Sequence, residues 1–409
     1  MTTASRGSRS WIVTRSLSAA LAACLLFAPG ASGAALRFRD DFDRVAKDPA
    51  GKAGWRFRTG EGAATMDLVQ GGPGYASILV DATADERNVW WAFIQRDVDV
   101  PLDLALLAKP GFEVRIEARI RASHAPRRVN LQVQTQRTTD YHSHLMEFDI
   151  PDTAGWHTIS MTTRDFDAVP GDALIAHMAL MDWGRSQFRV DVDYVEVRIV
   201  DVNAAGPDRG EAVPYHPPIA DPAAFEHAVG VAHDATIDLA NRKVNLNDWS
   251  VREKSAILPL LAVDGSRIAV LRWDLSAFAG KKVAGSGLLL LTTRSVHRKA
   301  ENVADFGLLR VVEVLSGDPA WNEETVTAES FLRGEPLHRA LNPQMIIDWP
   351  AAAGEGATTL LTIPRPVLQR LVDGTARGIA LTPLGAVSAA FYAREAGEGR
   401  GPRLLFDLE

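Results

Sequence analysis

The sequence predicts an all-β protein: two β-sandwich domains of the jelly-roll type, joined by a proline-rich linker and preceded by a signal peptide. Helix signals are nearly absent, and only one short helix is expected, over 366–373. Short apolar or alternating runs recur elsewhere between Gly, Pro, Asp and Asn residues, which is typical of sandwiches and jelly rolls. The proline-rich stretch 203–232 separates two such blocks, 36–202 and 233–409.

Residues 1–34 have the pattern of a secretory signal peptide. Three arginines within the first fifteen residues precede an apolar run over 17–27 and a small-residue cleavage site that ends at Ala34. This pattern predicts a secreted or periplasmic protein, and no later stretch is long enough to span a membrane. The single cysteine, Cys24, stands in a lipobox-like Leu-Ala-Ala-Cys sequence. Lipid anchoring at Cys24 is therefore the alternative.

Composition and charge narrow the classes of partner. The chain has 409 residues, 46% of them hydrophobic and 23% charged, as in ordinary globular proteins. A net charge of −7 argues against nucleic acid, which is bound by clustered Lys and Arg. However, the stretch from Arg121 to Arg137 contains four arginines and no acid. We interpret it as an anion-binding region for an acidic polysaccharide, with a solvated basic edge strand as the alternative.

Two neighbouring runs in the first block predict successive strands with different outer faces. Residues 112–121 alternate apolar and charged side chains, as a half-buried strand does. The next run, 128–136, alternates Val, Leu and Thr with amides. Successive side chains of a strand point to opposite faces, so one face is expected to be core and the other a row of amides. That row is Asn130, Gln132, Gln134 and Gln136.

A row of amides favours a glycan-binding groove. Each amide offers two donors and an acceptor, which suits sugar hydroxyls and carboxylates. Tryptophan rings near the groove can stack on the CH faces of pyranose rings. Beside the amides, the expected glycan-binding residues are Arg128, His144, Trp91 and Trp183.

The remaining strands follow from shorter runs. In the first block, strands are expected near 144–150, 157–163, 174–183 and 188–200. In the second block, they are expected over 268–273, 288–291, 307–315 and 378–384. Both sets indicate sandwiches.

The order of the strands in residues 36–202 resembles the jelly-roll carbohydrate-binding modules of families 4 and 9. FEVRIEARIRA precedes VNLQVQTQ, a strand entry centred on Trp156 follows, and VDVDYVEVRIV closes the block. The resemblance implies a concave binding face, which the amides and aromatics would form. It also implies a structural calcium, for which Asp40, Asp41 and Asp193 are the candidate ligands because calcium prefers oxygen.

Residues 233–409 resemble a DNRLRE-type domain, related to carbohydrate-binding modules of family 96. The matching elements are RIAVLRWDLSAFAGKKVAGSGLLLL, then WNEETVT from Trp321, then FYARE ending at Glu395. Ala393 replaces the usual serine of the last element. The resemblance implies a secreted or cell-surface module with an acidic glycan as partner.

Two other functions remain open at this point. A polysaccharide lyase removes the proton next to a uronate carboxylate, which requires charge neutralisation and a proton carrier. Arg137, Tyr141 and His142 would form that catalytic set. A structural cell-surface or adhesin protein is the third possibility. The sequence thus predicts a polysaccharide-binding protein, with a lyase as the main alternative.

Overall fold

The computed structural model describes most of the chain from Leu36 onward. The described ranges are 36–59, 63–84, 92–140, 143–180, 186–214, 217–246, 260–298, 306–397 and 399–409. The predicted signal peptide, with Cys24, lies outside them. Within these ranges no helix has the length and apolar character needed to cross a bilayer.

The first β-sandwich consists of two six-stranded antiparallel sheets. Its described strands are β1 Arg37–Asp40, β2 Arg56–Thr59, β3 Thr65–Gly72, β4 Tyr75–Asp81, β5 Ala92–Asp97, β6 Phe112–Ala122, β7 Arg127–Thr135, β8 Leu145–Ile150, β9 His157–Thr162, β10 Leu174–Leu180, β11 Gln187–Asp201 and β12 Glu211–Val213. One sheet has the order β3-β4-β11-β6-β9, with β1 also paired to β11. The other has the order β12-β8-β7-β10-β5-β2. The all-β sandwich prediction is confirmed.

The core of the first sandwich is made by the inward half of each alternating strand. Ile116 and Ile120 of β6 are fully buried, as are Val129, Leu131 and Val133 of β7. These side chains belong to one continuous hydrophobic cluster between the sheets. The period-two pattern of the sequence therefore places the other side of β7, with the amides, on the sheet face opposite the core.

The second β-sandwich pairs a six-stranded sheet with a five-stranded sheet. Its described strands are β13 His227–Gly230, β14 His233–Asp238, β15 Leu260–Val263, β16 Arg267–Arg272, β17 Gly287–Arg298, β18 Phe306–Val314, β19 Leu341–Trp349, β20 Thr358–Ile363, β21 Ile379–Gly385, β22 Val387–Tyr392 and β23 Arg403–Phe406. The sheet orders are β13-β23-β17-β22-β15, with β20 on β17, and β14-β16-β21-β18-β19. The predicted runs all correspond to strands here.

Three α-helices connect strands of the second sandwich in its described part. They are α1 Ala328–Leu332, α2 Leu337–Ala340 and α3 Arg365–Val372. The last one is the helix expected from the sequence: Val367, Leu368 and Leu371 are buried on one face, and Gly374 follows it with φ +73°. Short 3-10 turns lie at Leu104–Ala108, Pro222–Ala224, Ser276–Phe278 and Arg394–Ala396.

The motif segments of the second block meet in space. Arg394 forms ion pairs with Glu323 and with Glu395, and its backbone N–H donates to Asp234 Oδ2 at 2.9 Å. Burial raises the pKa of Asp234 to about 7. Trp321 is buried beside them. Arg394 thus compensates an internal acidic group, although Arg394 and Glu395 themselves are exposed.

The segment predicted as a linker contributes to both sandwiches. Strand β12 lies within 203–232 and pairs with β8 of the first sandwich. Strand β13 also lies within it and pairs with β23 of the second. Residues Leu36–Glu409 form one compact unit, so the proline-rich segment runs along the folded body.

A buried ion-pair network joins the two sandwiches. Arg370 on α3 donates to both carboxylate oxygens of Asp149 on β8, at 2.9 and 2.8 Å, and to Glu313 on β18 at 2.7 Å. Burial acts to lower the pKa of Arg370, but the attraction of Glu313 and Asp149 outweighs it and raises that pKa. Close by, Gln344 Oε1 accepts the backbone N–H of Arg128 at 2.5 Å. The arginine of one sandwich therefore neutralises an acid of the other.

Replacing Arg370 should remove the ion pairs that join the two sandwiches. We expect Arg370→Met to lower the free energy of unfolding by about 3–5 kcal/mol, because two carboxylates lose their buried partner. The control is Arg365→Met, whose ion pair with Glu211 is partly exposed and should contribute less than about 1 kcal/mol. Urea unfolding midpoints measure both. Equal midpoints for the two variants would show that the buried network does not stabilise the junction.

Candidate functional site

The candidate site is the outer face of the β12-β8-β7-β10-β5-β2 sheet, which we call the polar face. It consists of the side chains that alternate with the core residues of each strand. Those used below are Arg56 and Arg58 on β2, Phe93 and Gln95 on β5, His177 on β10, Arg128, Asn130, Gln132 and Gln134 on β7, and Glu147 and Asp149 on β8. Their neighbours in sequence, such as Phe57 and Ile94, pack in the core.

Strand register arranges these side chains in rows across the sheet. Gln132 lies opposite His177, His177 lies opposite Gln95, and Gln95 lies opposite Arg56. Paired positions in adjacent antiparallel strands place their Cβ atoms within about 5.5 Å. The row therefore runs without a gap from a neutral amide to an arginine at the sheet edge. In the neighbouring row across the sheet, Arg58 lies opposite Phe93.

The amides form a covered floor rather than an open surface. Asn130, Gln132 and Gln134 are only 0%, 7% and 5% exposed. Gln134 Nε2 has no hydrogen-bond partner among the described residues, and an amide in that state costs free energy. The floor is thus polar and buried, with donor capacity left over.

His177 is a neutral imidazole in the middle of this floor. Its side chain is buried, and neither ring nitrogen is hydrogen-bonded within the described part of the chain. Burial lowers its pKa to about 3, with a further contribution from the positive charges of Arg56 and Arg58. The ring makes an edge contact with Phe93, with centroids 4.9 Å apart. At neutral pH it offers one donor and one acceptor.

Acids occupy one end of the polar face, and arginines compensate them. Glu147 pairs with Arg128 at 3.2 Å, both of them buried. Asp149 is bound by Arg370 of the second sandwich at 2.8 Å. Glu147 therefore has an arginine to itself, whereas Asp149 shares Arg370 with Glu313.

Arginines occupy the opposite end, at the β2 edge. Among the described residues no carboxylate forms an ion pair with Arg56 or Arg58; the Arg56 guanidinium instead points at the Gln95 amide, whose carbonyl, turned toward it, accepts from Nε at 2.7 Å. Arg58 is exposed, and Arg56 and Phe93 are half-buried. This edge is the accessible, cationic part of the polar face.

The last amide of the expected row, Gln136, does not lie on the strand with the other three. Gln136 lies beyond the last residue of β7, in a turn, and its amide bonds Asp172 and the backbone of Ala173. Arg137 is bound by the same carboxylate at 2.7 Å, and this hydrogen bond is the main cause that lowers the pKa of Asp172. Both predicted residues therefore serve to hold the 165–173 loop.

The other predicted site residues divide into placed and undescribed ones. His144 is half-buried just before β8, in edge contact with Phe166, and burial lowers its pKa. The remaining four lie outside the described residues: Trp91, Tyr141, His142 and Trp183.

The predicted basic region between residues 121 and 137 is not a free cationic patch. Its four arginines each have a protein partner: Arg121 binds Asp191, Arg127 stacks on Phe188 and contacts His124, Arg128 binds Glu147, and Arg137 binds Asp172. Strand pairing brings these partners from distant parts of the sequence. Three of the four arginines are therefore neutralised by carboxylates within the fold, and Arg127 is buried against an aromatic ring.

The predicted calcium ligands are likewise occupied by protein cations. The pairs are Asp40 with Arg96, Asp41 with Arg39, and Asp193 with Arg119, each at 2.7 Å. Asp40 also accepts from Trp55 Nε1 at 2.9 Å. Over the described ranges, these three carboxylates do not form a group whose oxygens lie within 4.8 Å of one another. As placed, they do not fit the predicted calcium site.

Comparison with family models gives no match, and comparison with curated protein sequences gives none either. Several solved carbohydrate-binding modules are similar. A CBM4 structure is 19% identical over 39% of this chain and 97% of its own, with a TM-score of 0.29. The CBM22 tandem of Paenibacillus barcinonensis Xyn10C is 12% identical over 93% and 99%, with a TM-score of 0.27.

A third similar structure is the family 11 module of Clostridium thermocellum, solved with a mixed-linked β-1,3-1,4 tetrasaccharide. It is 13% identical over 40% of this chain and 95% of its own, with a TM-score of 0.25. The resemblance of residues 36–202 to carbohydrate-binding modules of families 4 and 9 stays a prediction. The DNRLRE resemblance of residues 233–409 stays a prediction.

Sequence reasoning missed five residues of the polar face. They come from three short strands, and their neighbours in space are distant in sequence: Arg56, Arg58, Phe93, Gln95 and His177. The only local signal was the alternation Arg-Phe-Arg at 56–58, which is typical of an edge strand with one polar face.

The buried His177 should make folding sensitive to acid. Its folded pKa of about 3 lies below the ordinary 6.5, so the unfolded chain binds a proton that the folded chain does not. Stability is therefore lost as pH falls from about 6.5, by about 2 kcal/mol at pH 5. We expect His177→Gln to reduce this loss, measured by urea unfolding at pH 7 and pH 5. The exposed His297 provides the control, and His297→Gln should lose as much stability between pH 7 and pH 5 as the wild type. An equal loss in His177→Gln would show that His177 is not the source of the acid sensitivity.

Proposed function

We propose that this chain binds a polysaccharide through the polar face of its first sandwich. The observation that carries the proposal is the row Gln132–His177–Gln95, a set of neutral donors and acceptors on one sheet face. Hydroxyl groups of sugars are neutral and need both donors and acceptors. The unsatisfied nitrogens of His177 and Gln134 provide capacity that an incoming hydroxyl can use.

We further propose that the glycan is acidic. The charges of the polar face support this, because Glu147 and Asp149 are each bound by an arginine, whereas Arg56 and Arg58 have no carboxylate partner among the described residues. The excess charge of the face is therefore positive, in a chain whose net charge is −7. A local positive region attracts an anionic polymer even when the whole protein is acidic.

β-Elimination has no comparable support. Arg137 is already bound to Asp172, and Tyr141 and His142 lie outside the described residues. A lyase site also requires a proton carrier beside the sugar. The neutral His177 is buried within the amide floor, where it suits recognition of hydroxyl groups. Secretion of the protein remains an expectation from the N-terminal sequence.

Removing one amide should weaken glycan binding without unfolding the protein. We expect Gln134→Ala to reduce affinity about tenfold, because a buried hydrogen-bonding group contributes about 1–2 kcal/mol. The matched control is Gln136→Ala, whose amide bonds Asp172 instead and which should retain full affinity. Affinity electrophoresis in gels containing alginate, pectate, ulvan, hyaluronan, chondroitin or glucuronan measures both. Equal retardation of Gln134→Ala and wild type would exclude the amide floor as the site.

The same polymers separate binding from cleavage. Incubation with the wild-type protein should produce no ultraviolet absorbance from unsaturated uronides, while gel retardation is observed with at least one polymer. A rise in absorbance with any polymer would replace the proposal by a lyase. Neither retardation nor absorbance would favour a structural protein.

A further inference from the structure

Two arginines on the edge strand β2 face the same side, and neither has an acidic partner among the residues that the structure describes. Arg56 and Arg58 are two residues apart and therefore point to the same face of the strand. No ion pair joins either of them to a carboxylate in the described part of the chain. Burial lowers the pKa of Arg56, and the positive charge of Arg58 lowers it further. Two like charges held together in this way favour the binding of an anion.

Among the described residues, the two acids that act on Arg56 are already engaged. Asp97 binds Lys52 at 2.6 Å. Asp48 accepts hydrogen bonds from three backbone N–H groups of the loop before β2, all at 2.9–3.0 Å. Both acids act on Arg56 only at longer range. Arg58 therefore keeps its hydrogen-bonding capacity for a ligand, and Arg56 keeps that of Nη1, since its Nε and Nη2 face the Gln95 carbonyl.

The surrounding residues hold Arg56 in position. Its Nε faces the carbonyl of Gln95 at 2.7 Å. On its other side lies Gly51, with φ +72°, where a Cβ atom would stand 2.8 Å from the same nitrogen. The absence of a side chain at Gly51 lets the loop backbone lie against the arginine. Arg56 is thus fixed between a loop and the amide row.

An aromatic ring lies directly beside the pair. Phe93 is opposite Arg58 on the neighbouring strand, is half-buried, and is held by its edge contact with His177 at 4.9 Å. A ring next to two guanidinium groups suits a sugar with an anionic substituent. The ring packs against the CH face of the sugar, and the arginines form ion pairs with its anionic group.

We propose that Arg56, Arg58 and Phe93 form a subsite that binds the carboxylate of a uronic acid residue at the β2 edge of the polar face. The inference rests on the proposed polysaccharide binding and specifies where the acidic group lies. Guanidinium groups match the planar carboxylate with paired hydrogen bonds. Further sugar residues of the polysaccharide then extend over the neutral amides, which form hydrogen bonds with hydroxyl groups. A sulfate ester shares the negative charge but not the planar geometry.

The test uses pairs of polymers that differ only in charge. We expect Arg56→Gln and Arg58→Gln each to lower affinity for pectate about tenfold, and to leave affinity for carboxyl-reduced pectate at the wild-type value. Arg209→Gln is the control, since Arg209 is an exposed arginine with no place on the polar face, and it should change neither. Alginate provides a second uronate polymer of different linkage, and far-ultraviolet circular dichroism checks that each variant is folded.

Several outcomes would overturn the subsite. Wild-type affinity of both β2 variants for pectate, alongside weakened binding by Gln134→Ala, would reject the subsite and keep the proposed function. Loss of affinity for sulfated but not for desulfated ulvan would assign the arginines to sulfate instead of carboxylate. Equal loss for pectate and its carboxyl-reduced form would show that the arginines act on the fold or on hydroxyl groups. If the wild-type protein binds none of these polymers, the function and the subsite fail together.

Discussion

The ion-pair network of Arg370 is the interaction on which the arrangement of this protein depends. A guanidinium and two carboxylates removed from water are stable only when each finds its partners, and here the partners come from different sandwiches: Asp149 from the first, Glu313 and Arg370 from the second. The network joins the second sandwich to the β8 end of the polar face. As a result, the negative charge of Asp149 is offset in part by Arg370, which also binds Glu313. The excess positive charge of that surface comes from Arg56 and Arg58 at its other edge.

Much of the fold follows from local sequence, because alternation and turn residues act over a few positions. The helix over 365–372 and the strand over Arg127–Thr135 were both predictable, and so was the division of β7 into a core side and an amide side. The burial of the amide side was not. All nine residues of β7 are buried, whereas a single alternating strand predicts that its polar side faces water. Whether a polar face is covered depends on tertiary packing, and the alternation within one strand does not predict that packing.

Charge was the less predictable property of the site. Counting arginines over residues 121–137 suggested a positive surface, yet strand and loop pairing places Asp191 beside Arg121 and Asp172 beside Arg137. Those acids lie 70 and 35 residues away in the sequence. Conversely, Arg56 and Arg58 are only two arginines in a short run and do not form a basic cluster in the sequence. In the fold, the nearby acids among the described residues, Asp97 and Asp48, are engaged by Lys52 and by loop backbone, so the positive charge of the two arginines remains.

The separation of neutral and charged groups on the polar face has a physical reason. Transferring a carboxylate into a covered floor would require full desolvation, which is costly even beside an arginine. Hydroxyl groups incur a smaller cost, and amides together with a neutral His177 compensate it without introducing charge. An accessible edge is the better place for an ionic contact, since water still solvates part of both ions there. A glycan whose charged substituents project toward β2 and whose hydroxyl groups rest on the amides would satisfy both conditions at once. A uniformly neutral glycan would leave the guanidinium groups of Arg56 and Arg58 without a counter-charge.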